Sequence, residues 1–300
     1  MEDKKYKLTD ETIEVEGKTL YRIEALKDFG EIKKGDKGGF IESENNLAHE
    51  GNAWVSDDAC VYDNARVSGN AHIYGEAWVY GSACVYGNAC VYGESSVFDN
   101  ACVYNNASVS GYAQVYDNAI VYGDAWLYDN AFVYGNARVS DNARVCSNAR
   151  VYGDALVYDN ARVSDNASVS RYAQVHGNVW VYGCARVSDN ARVCGNARVY
   201  GDALVRGDAC VCGDAEISTD ADYIVFKNWW SSGRYFTWTR SNNMWYVGCF
   251  YGTGDELVKK AYKDSSKSGR QYERLVKYVE ETLKEEENGE QEVQVNRRDH

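Results

Sequence analysis

The chain has 300 residues with no proline, 27 glycines, 25 tyrosines and 8 tryptophans, and 32 basic against 45 acidic residues leave a formal net charge of −13. That balance argues against a nucleic-acid binder, and no run approaches the roughly eighteen apolar residues of a membrane-spanning helix. The N-terminal MEDKKYKLTDETIEVEG is charged and lacks the apolar stretch of a secretory signal. A cytoplasmic chain is therefore expected, its 10 cysteines mostly reduced thiols.

Residues 1–50 differ in pattern from the rest of the chain. TIEVEG-KTLYRIEAL reads as a β-hairpin around Glu16-Gly17, and FGEIKKGDKGGFIE as further strand and turn. A solenoid begins with an open sheet edge, which needs covering, and this segment is expected to be that β-rich cap.

Residues 51–220 are a repeat. From Val55 to Ile217 an aliphatic residue recurs every six positions, giving 28 hexads; it is valine except at Ile73, Leu127 and Ile217. Two positions before it stands alanine, except at Ser95 and Val179. After it come mostly Gly or Asp and then Asn, Asp or Glu, as in ARVYGD and ACVYGN. Period six builds no helical face, because successive valines would rotate by about 240° around an α-helix. Ala-x-Val-x does alternate with period two, which puts Ala and Val on one side of a short strand. Gly-Asn and Asp-Asn tolerate positive φ and supply the corner. Each hexad then reads as a four-residue strand and a two-residue corner. Three hexads close a triangular coil of 18 residues, and about nine coils spaced about 4.8 Å apart make a rod of roughly 45 Å.

Residues 221–300 change character again. DYIVFKNWW, RYFTWTRS and MWYVGCFYG are expected as aromatic strands, with a turn at Ser241-Asn242-Asn243. Helices are expected from Gly254-Asp255 and over GRQYERLVKYVEETLKEEE, where Leu275, Val276, Val279 and Leu283 recur at helical spacing. The tail ENGEQEVQVNRRDH has the composition of a disordered segment. This is a small α+β unit whose tryptophans, Trp229, Trp230, Trp238 and Trp245, read first as core and second as a recognition site.

The V-x-G/D-N/D-A-x unit resembles the hexapeptide repeat of left-handed β-helix proteins, a superfamily that includes many acyltransferases. Its GNA-x-VYG form, together with DFGEIKKGDKGGFIESENNLAHEGNAWV, resembles the YdcK-like proteins, whose relatives are common in bacteria and their phages. The resemblance covers nearly the whole chain. It implies a mainly β fold: a single-stranded, left-handed, triangular parallel β-helix. As an activity it implies an acyl- or nucleotidyl-group transferase. Such enzymes use a histidine in a loop leaving the helix, and here no insertion breaks the hexads. Of the four histidines, His72 and His176 fall at outward strand positions, His49 at the cap junction and His300 in the tail.

Other chemistry is faint. Cys194, Cys210 and Cys212 would neighbour one another at 18 residues per coil, as would Cys84 and Cys102, and they read as small side chains on strands rather than ligands. No metal, cofactor or catalytic residue is expected, for GKTLYR lacks the first glycine of a phosphate-binding loop and no GxSxG elbow occurs. The outward rows are more informative. One carries Tyr62, Tyr80, Phe98, Tyr116, Tyr134 and Tyr152, flanked by Trp78 and Phe132; a second carries Tyr86, Tyr104, Tyr122 and Tyr158, broken by Ser140. Stacked aromatics stabilise adjacent strands, and a stripe around 25 Å long is also the kind of apolar patch that marks an interface. Later coils carry Arg138, Arg144, Arg150, Arg162, Arg186, Arg192 and Arg198 before the valine. These either neutralise corner aspartates or form a guanidinium strip for an acidic partner. Residues 51–220 hold 10 basic and 19 acidic side chains, a net of −9, which argues against a nucleic-acid groove. The leading expectation is a non-catalytic solenoid that binds another protein, such as a host (defence) factor, or pairs with a second copy through its aromatic face; the alternative is the transferase.

Overall fold

In the computed structural model, residues 4–298 are described, and the chain divides after Asp220 into two compact units. In the first, β1 (Tyr6–Val15) and β2 (Lys18–Ala25) form an antiparallel hairpin. Its turn residues Glu16 and Gly17 have φ of 50° and 79°, as a two-residue turn matched to strand twist requires. β3 (Lys37–Ile41) pairs antiparallel with β2 and parallel with Cys60–Val61, so the cap hairpin extends one wall of the solenoid. Backbones meet closely there: a Cβ on Gly39 would lie 2.5 Å from the Ala59 carbonyl oxygen.

From β4 (Trp54–Val55) to β31 (Glu216–Ile217) run 28 strands of two residues each. Each pairs in parallel with the strand 18 residues further on, valine against valine, as in Val61↔Val79 and Val133↔Val151. The strands are shorter than the expected four residues, because the chain bends every six residues and only the pair centred on valine lies flat against its neighbours. The residues flanking valine donate to the coil beyond: Trp78 N to Ser95 O at 2.9 Å and Tyr80 N to Val97 O at 3.1 Å. Three faces result, in sheets of 12, 10 and 9 strands, the first including the cap. Every alanine and valine of the repeat column is at most 1% exposed, and each buried valine contributes roughly 1.5 kcal/mol or more. Ser95 replaces alanine without an orphan hydroxyl, its Oγ donating to Tyr92 O at 2.8 Å.

The corner explains why Gly and Asp alternate in one place. In one row Gly81, Asp99, Asp117 and Gly135 have φ of 69°, 56°, 57° and 73°. Glycine reaches this region freely. Aspartate reaches it and adds a bond, since its carboxylate accepts from the backbone N–H one coil on: Gly135 N to Asp117 Oδ2 at 3.0 Å and Gly183 N to Asp165 Oδ2 at 2.9 Å. Beside this row asparagines form a ladder, Asn100 to Asn118 and Asn118 to Asn136, each at 3.2 Å. Asp117→Ala keeps the left-handed backbone and loses the acceptor, so a loss of about 1–2 kcal/mol is expected, with Asp117→Gly losing less. Denaturant midpoints of the two variants and the unaltered protein test this; an Asp117→Ala midpoint equal to that of the unaltered protein would refute the role of the carboxylate.

The second unit is an antiparallel meander of β32 (Tyr223–Lys227), β33 (Tyr235–Thr239), β34 (Met244–Val247) and β35 (Phe250–Gly252). The segment expected as one strand, MWYVGCFYG, is two, folded back at Gly248 with φ of 61°. α1 (Gly254–Asp264) opens with a capping box between Thr253 and Glu256. α2 (Ser266–Arg298) packs Tyr272, Val276 and Val279 against Phe236, Trp238 and Trp245. α2 also runs through the tail whose composition reads as disordered. His300 lies outside the described residues. Among the described residues no helix is long and apolar enough to cross a membrane.

Candidate functional site

The 18-residue register turns sequence spacing into vertical contact. Tyr62, Tyr80, Phe98, Tyr116, Tyr134 and Tyr152 stack with ring centroids 4.9–5.1 Å apart and planes within 5° of parallel. Each ring covers the faces of its neighbours, so the row presents half-buried ring edges rather than an open apolar stripe. Tyr62 is fully buried under the cap, with the Lys18 ammonium 5.1 Å from its ring centroid. Trp78 and Phe132 lie on the same face, two residues before Tyr80 and Tyr134, with Trp78 meeting Tyr62 edge-on at 6.1 Å. The second row stacks Tyr86, Tyr104 and Tyr122, stops at Ser140, and resumes with Tyr158 against the His176 imidazole at 4.7 Å. A third row, not singled out from the sequence, holds Tyr74 on Tyr92 at 4.7 Å and Tyr182 on Tyr200 at 5.3 Å. Its signal is the same spacing, interrupted by Ser110, Cys146 and Ser164.

Burial, with lesser help from neighbouring acids and phenols, pushes the Tyr62, Tyr80, Tyr104, Tyr116 and Tyr134 phenols above their ordinary value. Tyr128 is pushed up to about 12, first by its hydrogen bond with Cys146 and then by burial. Lys5 moves the other way. It is 1% exposed, its ammonium donates to Ala53 O at 2.7 Å, and burial, with Lys27 adding, lowers it from 10.5 to about 8. The unfolded chain therefore holds more protons at this lysine between pH 8 and 10.5, and the burial penalty, complete below pH 8, is relieved as pH rises. The raised phenols contribute stability that is complete below the ordinary tyrosine value and is lost above it. Stability of the first unit is thus expected to climb from about pH 8 to about 10 and then fall. Denaturant midpoints across pH 7–11 check this, and a monotonic rise to pH 11 would contradict it.

The seven arginines do not form one strip. Arg138 and Arg192 lie on one face, Arg150 and Arg186 on the second, and Arg144, Arg162 and Arg198 on the third. On the third face, strand register places Trp126, Arg144, Arg162, Trp180 and Arg198 on successive coils. Arg144 sits 5.5 Å from the Trp126 ring centroid, and Arg162 and Arg198 lie 5.0 and 5.9 Å from Trp180. The indoles remain 50% and 44% exposed, unlike the self-covering tyrosines. Sequence reasoning misses this ladder because Trp126 and Trp180 stand outside the tyrosine rows, and the arginines, taken as one series, mix all three faces.

His49 belongs to the cap. Its Nδ1 accepts from Lys5 N at 3.3 Å, its ring stacks on Tyr6 at 4.4 Å, and its Nε2 lies 3.6 Å from a Glu44 carboxylate oxygen. Lys4, Lys5, Lys27, Phe29 and Glu50 complete a depression around it. His176 has Nδ1 3.7 Å from Asp159 Oδ2.

The cysteines depart most from expectation. Cys194 and Cys212 are joined by a disulfide, their Cα atoms 4.6 Å apart, where the sequence suggests reduced thiols. The reason is the register: stacking two cysteines 18 residues apart brings their Cα atoms within bridging range. Neither is within a two-residue strand; both occupy the position directly after valine, just before the corner, in the row of His176. Cys84 and Cys102 do pair across adjacent strands. Burial raises the Cys60 thiol to about 11 and also raises those of Cys90 and Cys102.

The fold and its surfaces define a β-solenoid repeat protein. Seven segments, residues 59–75, 113–129, 131–147, 149–163, 161–177, 185–199 and 191–208, match a family described as the YdcK beta solenoid repeat. All seven lie inside the repeat, so the chain is similar to that family in its coils. No curated protein matches the chain.

Proposed function

We propose that the protein is a non-catalytic scaffold that holds another protein on the face carrying Trp126, Arg144, Arg162, Trp180 and Arg198. The observation that carries this reading is the pair of half-exposed indoles flanked by guanidinium groups. Trp and Arg dominate the energetics of protein interfaces, and a flat sheet face five coils long offers them on a rigid base. The unbroken repeat supports a role without chemistry, since its corners are two-residue turns rather than loops that could arch over a substrate. The partner this ladder suits has an acidic patch, because the guanidinium groups bind carboxylates well. The likeness of the repeat to proteins of bacteria and their phages favours a bacterial host protein, met in the cytoplasm. The stacked tyrosine rows serve chiefly as the frame.

Trp126→Ser/Trp180→Ser is expected to lower capture of a host protein by at least about tenfold, a loss of about 1.4 kcal/mol or more. Arg138→Ala/Arg192→Ala, on another face, should leave capture unchanged. Equal capture by the tryptophan variant and the unaltered protein would overturn the reading. Light scattering on both identifies a second copy as the occupant if the unaltered protein is a dimer and the variant a monomer.

A further inference from the structure

We propose that Cys194, Cys210 and Cys212 form a soft-metal site for copper(I), with the Cys194–Cys212 bridge as its oxidised, metal-excluding form. The three sulfurs lie within 4.8 Å of one another. Cys210 Sγ is 3.7 Å from Cys212 Sγ, and these two residues are 9% and 6% exposed. A metal at about 2.3 Å from each of three sulfurs in a trigonal plane sets them about 4.0 Å apart. The Cys210–Cys212 spacing is already close to that. The backbone is fixed on either side, with Cys194 N donating to Val211 O at 2.9 Å. Opening the bridge therefore needs only side-chain rotation to spread the third sulfur.

The donor set selects the ion. Thiolates favour copper(I) and zinc. Zinc almost always takes four ligands in structural sites, and this cluster supplies three, all sulfur. The nearest imidazole along the row, His176, is stacked on Tyr158 instead. Three thiolates around a monovalent ion carry a net charge of −2, and Arg192, opposite Cys210 on the adjacent strand, places a fixed positive charge beside them.

A reducing compartment keeps such pairs as thiols. A thiol reductant supplies two electrons and two protons: the Sγ–Sγ bond breaks, Cys194 and Cys212 each gain a proton, and the reductant leaves as its own disulfide. Copper(I) then binds as three thiol protons pass to solvent. Oxidation passes two electrons from the thiolates of Cys194 and Cys212 to an external disulfide, whose S–S bond breaks to give two thiols with two protons from solvent; the Cys194–Cys212 bridge re-forms, Cys210 regains a proton and the ion is expelled. The site is independent of the Trp126–Trp180 face, so the two readings fail separately.

The test uses the full-length protein, reduced anaerobically with a phosphine that is then removed. It is titrated with copper(I) against a coloured chelator that competes for the ion. One ion is expected to be held more tightly than by the Cys194→Ser/Cys210→Ser/Cys212→Ser triple variant, with each single variant losing at least about tenfold in affinity. The disulfide form should hold no more than the triple variant. Circular dichroism confirms that each variant keeps the solenoid. Cys84→Ser should leave the tight site intact. Binding no tighter than in the triple variant overturns the proposal. So does Cys210→Ser binding as tightly as the unaltered protein, which would show a two-sulfur site. Zinc(II) held more tightly than copper(I) under the same competition overturns the choice of ion.

Discussion

Val133→Asp is expected to break the solenoid in the middle. Val133 is fully buried and lies between Val115 and Val151 in the same column. A carboxylate there has no cation and no water, and an uncompensated buried charge costs about 3–5 kcal/mol. Val133→Ala, which only empties space, should cost about 2 kcal/mol or less. The geometry makes the charged variant worse than its local cost. Each coil touches only its neighbours, so a failed coil separates those before it from those after it. Limited proteolysis should cut first within the coils around residue 133, and the thermal transition should broaden or split. A sharp transition at the unaltered temperature would mean that valine is not the element holding the column.

The second large effect is expected from Trp245→Ala. This indole is 1% exposed, stacks on Phe226 at 5.8 Å and lies 6.0 Å from Phe236. Truncating a buried tryptophan costs about 3–5 kcal/mol, a large share of what a unit of about 80 residues can muster. Near-ultraviolet dichroism and loss of α-helix should report unfolding of the second unit, while the β signal of the solenoid persists. Full retention of structure would instead favour Trp245 as a ligand contact spared by folding. Trp229, at 76% exposed, is the indole of this unit that core packing does not explain.

The solenoid is legible in the sequence because one arithmetic fact, period six, determines which side chains meet. Once three hexads close a coil, Val61 must face Val79 and Tyr62 must face Tyr80, and the structure places both pairs so. What cannot be read is what a side chain does on meeting its neighbour. Phe98 and Tyr116 look from the sequence like two exposed rings; face to face at 5.0 Å they hide one another. Arg162 and Trp180 look unrelated until the same register makes them a cation–π pair. The register also brings Cys194 to Cys212, yet spacing alone does not distinguish two thiols from a bridge. The second unit is harder because its contacts follow no period. The turn at Gly248-Cys249 is two residues inside an aromatic run, and its one mark in MWYVGCFYG is that glycine, easily passed over between so many ring-bearing residues.

The triangular cross-section carries a consequence for how such a chain can change length. Removing eighteen residues deletes one storey and leaves every surviving row aligned. Removing six also preserves the valine column, so the molecule would still assemble, but everything beyond the cut turns by one wall. Trp126 and Trp180 would then look out in different directions while the interior stayed sound. Selection on stability alone is blind to that difference; only selection on what the wall holds would insist on whole storeys.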